Sequence, residues 1–216
     1  SSPGYFHIRP DIEAVARASQ LLTQAENPII IVGDRIAQAG AVSEMVRVAE
    51  LLGAQVYSAS FSEVNFPTSN SLYRGALNTS NPSTARLLAS ADVVLAVGTN
   101  VFSSFLYVAE PFLNAPTKLI HMDNNAREME KLYATEVGIF SDPKAGLAEL
   151  ADALDQDMPA SAREAAITRG ATLADERRRS DEEYRGRLAG LWDRKPMAVE
   201  RMMHELAQAV PPETII

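Results

Sequence analysis

The chain has 216 residues, 46% hydrophobic and 22% charged, a balance that supports a full globular core with helical material to spare. Its formal charge of −8 argues against a binder of the nucleic-acid backbone. The lack of cysteine excludes disulfides, thiolate nucleophiles and Cys-based metal sites, and the three scattered histidines, His7, His121 and His204, argue against a His-rich metal centre.

In chain order, residues 1–10 read as a linker. Asp11 to Ala25 carries Ile12, Val15, Ala18 and Leu22 at near-helical spacing, with Pro10 and Asp11 as a helix start. In "NPIIIVGD", Ile29 to Val32 form an apolar, β-branched run that stops at Gly33, the pattern of a strand buried on both faces. "AVSEMVRVAELLGA" places Val42, Met45, Val46, Ala49 and Leu52 on one helical face, with Gly53 as C-cap. "AQVYSAS" reads as a short second strand.

Phe61 to Pro82 is rich in Ser, Asn and Pro and reads as a long irregular segment. A helix capped by Ser83 is expected through Leu88, followed by a strand from Val93 to Val97. Lys118 to Met122 supplies another strand, ending in Asp123. "AREMEKLYA" reads as a short helix and "EVGIFSD" as a last short strand. Asp142 and Pro143 then open the helix "PKAGLAELADAL". This alternation predicts a three-layer, Rossmann-like α/β domain over residues 11–155, an open parallel sheet of five or six strands with helices on both faces.

Beyond Leu154 strand signals cease and charges of both signs alternate. Residues 156–195 read as a helical connector of one or two long exposed helices, packing through Ile167, Leu173, Tyr184, Leu188 and Trp192. Arg177 to Arg179 are balanced by nearby acids, which makes a solvated face. In residues 196–216, Pro196 suits a first helical position, and Val199, Met202, Met203 and Leu206 form an apolar stripe. The strand-like "ETII" breaks off at Ile216, so this last segment is expected to be the truncated start of a further domain. No apolar stretch has transmembrane length and no signal peptide opens the chain, so the expected compartment is the cytoplasm, with neither membrane nor nucleic acid as partner.

Two strand–turn corners suit a ligand crevice: Gly33, Asp34 and Arg35, and Gly98, Thr99 and Asn100. In an open parallel sheet ligands sit beyond the carboxyl ends of the strands, and a glycine there admits either a phosphate or simply a tight turn. Asp123 at a third strand end could accept from a ribose hydroxyl or cap the next helix. His121, within an apolar strand, reads as a satisfied core or interface histidine rather than a catalytic base. Neither G-x-G-x-x-G, nor a P-loop, nor G-x-S-x-G occurs, so the residues describe a binding fold without a catalytic set.

The succession "NPIIIVGDRIAQAG…AELLGAQVYSAS", "FPTSNSLYRGALN", "LLASADVVLAVGTNVF" and "KLIHMDNNAREMEKLYATEVGIFSDPKAGLAELADAL" resembles the central domain of thiamine-diphosphate-dependent enzymes. That family includes acetolactate synthase, pyruvate oxidase and benzoylformate decarboxylase. The resemblance runs from Asp11 to Leu154, and Lys195–Ile216 resembles the start of the family's third domain. "FPTSNSLYRGAL" and "GTNVFSSFLY" look nearest to the benzoylformate decarboxylase branch.

The resemblance implies a parent enzyme that decarboxylates a 2-oxo acid or ligates the resulting carbanion. Thiamine diphosphate and Mg2+ would be bound outside this chain, between first and third domains of neighbouring subunits. An early glutamate and a Gly-Asp-Gly…Asn motif serve them in the family, and neither is found here, so the fragment is expected to be inactive by itself. Its partners would be the missing N- and C-terminal domains, within a homo-oligomer, a dimer or tetramer. Some family members bind FAD or ADP in the central domain, with a longer glycine-rich first corner and an Arg-Phe-Asp second corner. "GDRIAQAG" and "GTNVFSSF" depart from both. In the decarboxylase branch the second loop reaches the substrate pocket, where a histidine assists. The matching position here is Phe105, so that role does not transfer, and Ser103, Ser104 and Phe105 become candidate pocket-lining residues. Two other readings stand beside this one: a stand-alone module for FAD, ADP or NAD, and an assembly domain with no ligand.

Overall fold

The computed structural model describes residues 8–59, 62, 64–78, 81–101 and 111–211. They form two compact units, Ser1–Leu173 and Ala174–Ile216. The first holds a six-stranded, all-parallel sheet of β1 (Pro28–Val32), β2 (Gln55–Ser58), β3 (Tyr73–Ala76), β4 (Val93–Val97), β5 (Lys118–Asp123) and β6 (Val137–Phe140). Its order is β3-β2-β1-β4-β5-β6, so the chain reverses its direction of travel across the sheet between β1 and β4. That is the doubly wound α/β arrangement, with its switch point at the centre.

The central strands are apolar throughout because both faces are covered. Ile30, Val32, Leu95, Val97, Ile120 and Met122 point into one core, with Val15, Leu22, Met45, Leu52, Leu147 and Leu154 of the helices. These come from α1 (Ile12–Thr23), α3 (Val42–Leu52) and α5 (Pro143–Asp157). The alternate residues Ile29, Ile31, Val94, Ala96 and Leu119 enter a second core with Leu88 of α4 (Pro82–Ala89) and with Phe112. The period of two divides one strand between two cores.

Helix starts follow local chemistry. Asp11 caps α1 by accepting from the N–H groups of Glu13 and Ala14, and Asp142 caps α5 through Lys144 and Ala145. Gly53 ends α3 in the left-handed conformation, φ 56°. Helix α4 is capped by Asn81, which accepts from the Ser83 N–H at 2.9 Å, so Ser83 lies inside the helix and does not cap it.

The structure also departs from the sequence reading in the stretches after β1, β2 and β5. The irregular stretch holds a short edge strand, β3, which contains Gly75 at φ 105°, has a shifted register against β2 and alternates only between half-buried and exposed residues, so no apolar run marks it. A four-residue helix, α2 (Arg35–Gln38), too short to show periodicity, follows β1. The "AREMEKLYA" segment is a series of turns, with Glu130 at φ 55°; ahead of it Asp123 accepts from the Asn125 N–H and Asn125 from the Arg127 N–H in two overlapping side-chain turns.

Helix α6 (Ala160–Leu191) is one continuous helix. Its first half packs on the domain through Ala166 and Leu173, both buried, whereas Ile167 is exposed at 70%. The contact selects small residues: a Cβ on Gly53 would collide with the Ala166 carbonyl and come within 3.1 Å of the Gly170 nitrogen. Arg169 donates to the Leu52 carbonyl at 2.7 Å, satisfying the last turn of α3, and burial lowers its pKa.

In the second unit, α7 (Val199–Ala209) begins after Ala198, so Pro196 precedes the helix. The Arg201 guanidinium lies 4.8 Å from the Trp192 ring centre and donates to the Trp192 carbonyl at 2.6 Å. Leu188 is buried as expected, whereas Tyr184 and Trp192, also expected to pack, are exposed. Val199, Met202, Met203 and Leu206 share the expected stripe but are exposed. The strand expected from "ETII" lies outside the described residues. Among the described residues no helix is long and apolar enough to cross a membrane.

Candidate functional site

The sheet order carries the carboxyl ends of β1, β4 and β5 side by side, and with them Gly33 to Arg35, Gly98 to Asn100, and Asp123. All seven residues singled out from sequence therefore gather at the switch point. Ser103, Ser104 and Phe105 lie outside the described residues.

The two corners bind each other. The β1–β4 ladder continues past the strands, with Gly33 N–H donating to Val97 O at 3.0 Å and Arg35 N–H to Gly98 O at 3.3 Å. Gly98 N–H in turn donates to Met122 O at 2.9 Å. A Cβ on Gly33 would collide with Gly98 O and Thr99 Cβ, and one on Gly98, at φ 60°, would come 3.0 Å from Arg35 Cβ. Both glycines serve the approach of one backbone to another.

Beyond the backbone lies a buried polar cluster. Asp123 is 0% exposed, and its Oδ2 accepts from Arg35 Nη2 at 2.6 Å. Its Oδ1 accepts from the Asn125 N–H at 2.7 Å. This engages the carboxylate in a side-chain turn, and no helix follows for it to cap. The same Arg35 Nη2 also donates to Asn100 Oδ1 at 3.0 Å. His121, 1% exposed, places Nε2 3.2 Å from the Thr99 carbonyl and 3.5 Å from Asp123 Oδ2. Both neighbours are acceptors, so Nε2 carries the proton. Burial pushes the Asp123 carboxyl up, but hydrogen bonds from His121, Arg35 and the Asn125 N–H outweigh it and hold the pKa below the ordinary aspartate value.

Sequence reasoning missed Asn65, which is fully buried after β2. Its Oδ1 accepts from the Ala37 N–H and its Nδ2 donates to Asp34 Oδ1, both at 3.2 Å. Nothing in the irregular stretch marks it, because its role depends on a corner 31 residues away. The crevice thus sets two carboxylates, Asp34 and Asp123, against one guanidinium, and its side chains are largely occupied by one another. The four-residue α2 adds little dipole for an anion. Among the described residues no group of three or more His, Asp or Glu could hold a metal ion.

Comparison with known proteins agrees with this architecture. Residues 15–150 match the family model described as thiamine pyrophosphate enzyme, central domain. The chain is 32% identical over 146 residues to a sulfoacetaldehyde acetyltransferase from Castellaniella defragrans, covering 66% of this chain and 24% of that protein. It is 28% identical to the acetolactate synthase large subunit of Corynebacterium glutamicum, covering 68% of this chain and 24% of that one. The crystal structure of benzoylformate decarboxylase from Polynucleobacter necessarius superposes with a TM-score of 0.65 at 26% identity, over 71% of this chain and 29% of that chain. The chain thus spans about a quarter of the length of the curated relatives it matches.

Proposed function

The chain belongs to the family of thiamine pyrophosphate enzyme central domains, and from that premise we propose that it is the scaffolding middle of a longer thiamine-diphosphate-dependent 2-oxo acid decarboxylase or carboligase, inactive by itself. The observation that carries this reading is the self-contained switch-point crevice. Its candidate side chains Arg35, Asn100 and Asp123 hydrogen-bond one another across the ends of β1, β4 and β5, and Asp34 is bonded to Asn65 after β2. A fold that uses its ligand crevice as an internal fastening is suited to holding other parts of a protein.

Thiamine diphosphate and magnesium do not fit this chain's own residues. The sequence has no Gly-Asp-Gly, and the described carboxylates and histidines form no metal-holding group. The parent enzyme would bind the cofactor on its other domains, which are this chain's proposed partners within a homo-oligomer. Ser103, Ser104 and Phe105 are the residues proposed to face the parent's substrate pocket. A nucleotide-binding module is the second reading, favoured by the convergence of seven candidates at the switch point. Against it stand the two carboxylates, which repel a diphosphate.

Calorimetric titration of the 216-residue chain with thiamine diphosphate plus Mg2+, then with FAD, ADP and NAD, tests these readings. No binding is expected. Micromolar affinity for thiamine diphosphate would put the cofactor site in this chain and sink the scaffold reading. Micromolar affinity for a nucleotide would establish the binding module instead.

A further inference from the structure

The centre of the crevice is taken up by a side chain of the protein itself. Arg35 enters from the first corner and ends between Asn100 of the second corner and Asp123 of the third. Its side chain is only 18% exposed, although arginine is among the residues least often buried. Gly98 makes this possible, because a side chain there would press on the Arg35 stem and its backbone.

We propose that the switch-point crevice is a guanidinium site filled by Arg35, built to receive a planar cation in place of a phosphate.

Four observations carry this. Asp123 is fully buried, so its charge calls for a cation close by. Asn100 Oδ1 and Asp123 Oδ2 both accept from one nitrogen, Nη2, and its two N–H groups lie in a single plane that a tetrahedral ammonium would not reproduce. The stem contributes little, since Nε is buried without an acceptor among the described residues, so the seat holds the guanidinium by its far end. Finally, the neighbouring half-buried Asp34, whose carboxylate accepts from Asn65 Nδ2, adds a second negative charge to the same corner. The fold's ligand position is thereby closed from within, and the guanidinium ties three strand ends together. The inference rests on the scaffold reading of this crevice; failure of the rescue below would overturn the guanidinium seat alone, whereas a nucleotide bound to the unaltered chain would overturn both.

The test is chemical rescue in the 216-residue chain. Arg35→Ala empties the seat and leaves Asp123 without its cation, so the melting temperature falls. Guanidinium chloride well below denaturing concentration is expected to raise it again in a saturable way, whereas sodium chloride at equal ionic strength does not. The double variant Arg35→Ala/Asp123→Asn should show no rescue. Absence of rescue, or equal rescue in the double variant, overturns the proposal. Should Arg35→Ala fail to fold, the double variant, free of the orphaned carboxylate, is expected to fold better than the single one. Equal failure of both would also overturn it. ADP binding to the unaltered chain in the titration above would do the same.

Discussion

Two places in the first unit bring backbone against backbone, and they are built from opposite materials. At the switch point, Gly33 and Gly98 let two corners touch, and the space behind them fills with Arg35, Asp123, His121 and Asn100. At the joint between α3 and α6, Gly53 meets Ala166 and Gly170, and the neighbours are Leu52 and Leu173. The first contact is cohesive because charges and hydrogen bonds are paired; the second rests on close approach at glycine, with one charged group, Arg169, donating to the Leu52 carbonyl beside it. Glycine after a strand or helix therefore does not by itself announce a ligand. The side chains around it decide whether the corner is electrostatic or steric.

The largest effect is expected at the steric joint. Gly53→Ala places a Cβ into the Ala166 carbonyl in a backbone conformation that alanine disfavours, and should cost about 3 kcal/mol or more in urea unfolding. Gly40→Ala shares the positive φ, 61°, but meets nothing within 4 Å, so about 1–2 kcal/mol is expected. Equal costs would show that conformation, and not the close approach of α6, accounts for Gly53.

The polar corner should respond to pH where the joint does not. Asp123→Asn removes the charge from the buried seat and is expected to cost about 2–3 kcal/mol at pH 7. The pKa of Asp123 is lower folded than unfolded. Between those values the unfolded chain binds more protons, so the stabilisation is complete above the unfolded value of about 3.9 and is lost as pH falls through the folded value. The gap between the two proteins should therefore close on acidification, followed by urea unfolding from pH 7 to pH 3. A gap that stays constant would mean the carboxylate's charge contributes nothing.

The smallest pair of effects sharpens the steric side. Leu173→Ala, on the buried face of α6, should lower stability by about 2 kcal/mol. Ile167→Ala, with its side chain in solvent, should change it by less than about 0.5 kcal/mol. Comparable losses from both would place the docked face of α6 elsewhere.

Ile29 to Val32 and Val93 to Val97 were legible as doubly buried strands because a run of β-branched residues without polar alternation has few other stable uses. Asp11, Asp142 and Gly53 were legible as caps because capping is chemistry within one turn. The seven crevice residues could be named, since each follows a strand, but their pairing could not be. Arg35 and Asp123 lie 88 positions apart and Asp34 and Asn65 lie 31 apart, and no local pattern records such a distance. Ile167 was misplaced for a related reason: in a helix polar on every side, the apolar residue gives no guide to the docked face.

What the sequence by itself determined was the alternation of helix and strand, the apolar fill of the central strands and the family pattern they compose, all products of short-range periodicity. Only the tertiary structure decided that the strand ends of β1, β4 and β5 adjoin. That adjacency turned Arg35 from a loop cation into the occupant of the crevice, because a buried carboxylate is stable only beside the charge and hydrogen bonds that the fold brings to it.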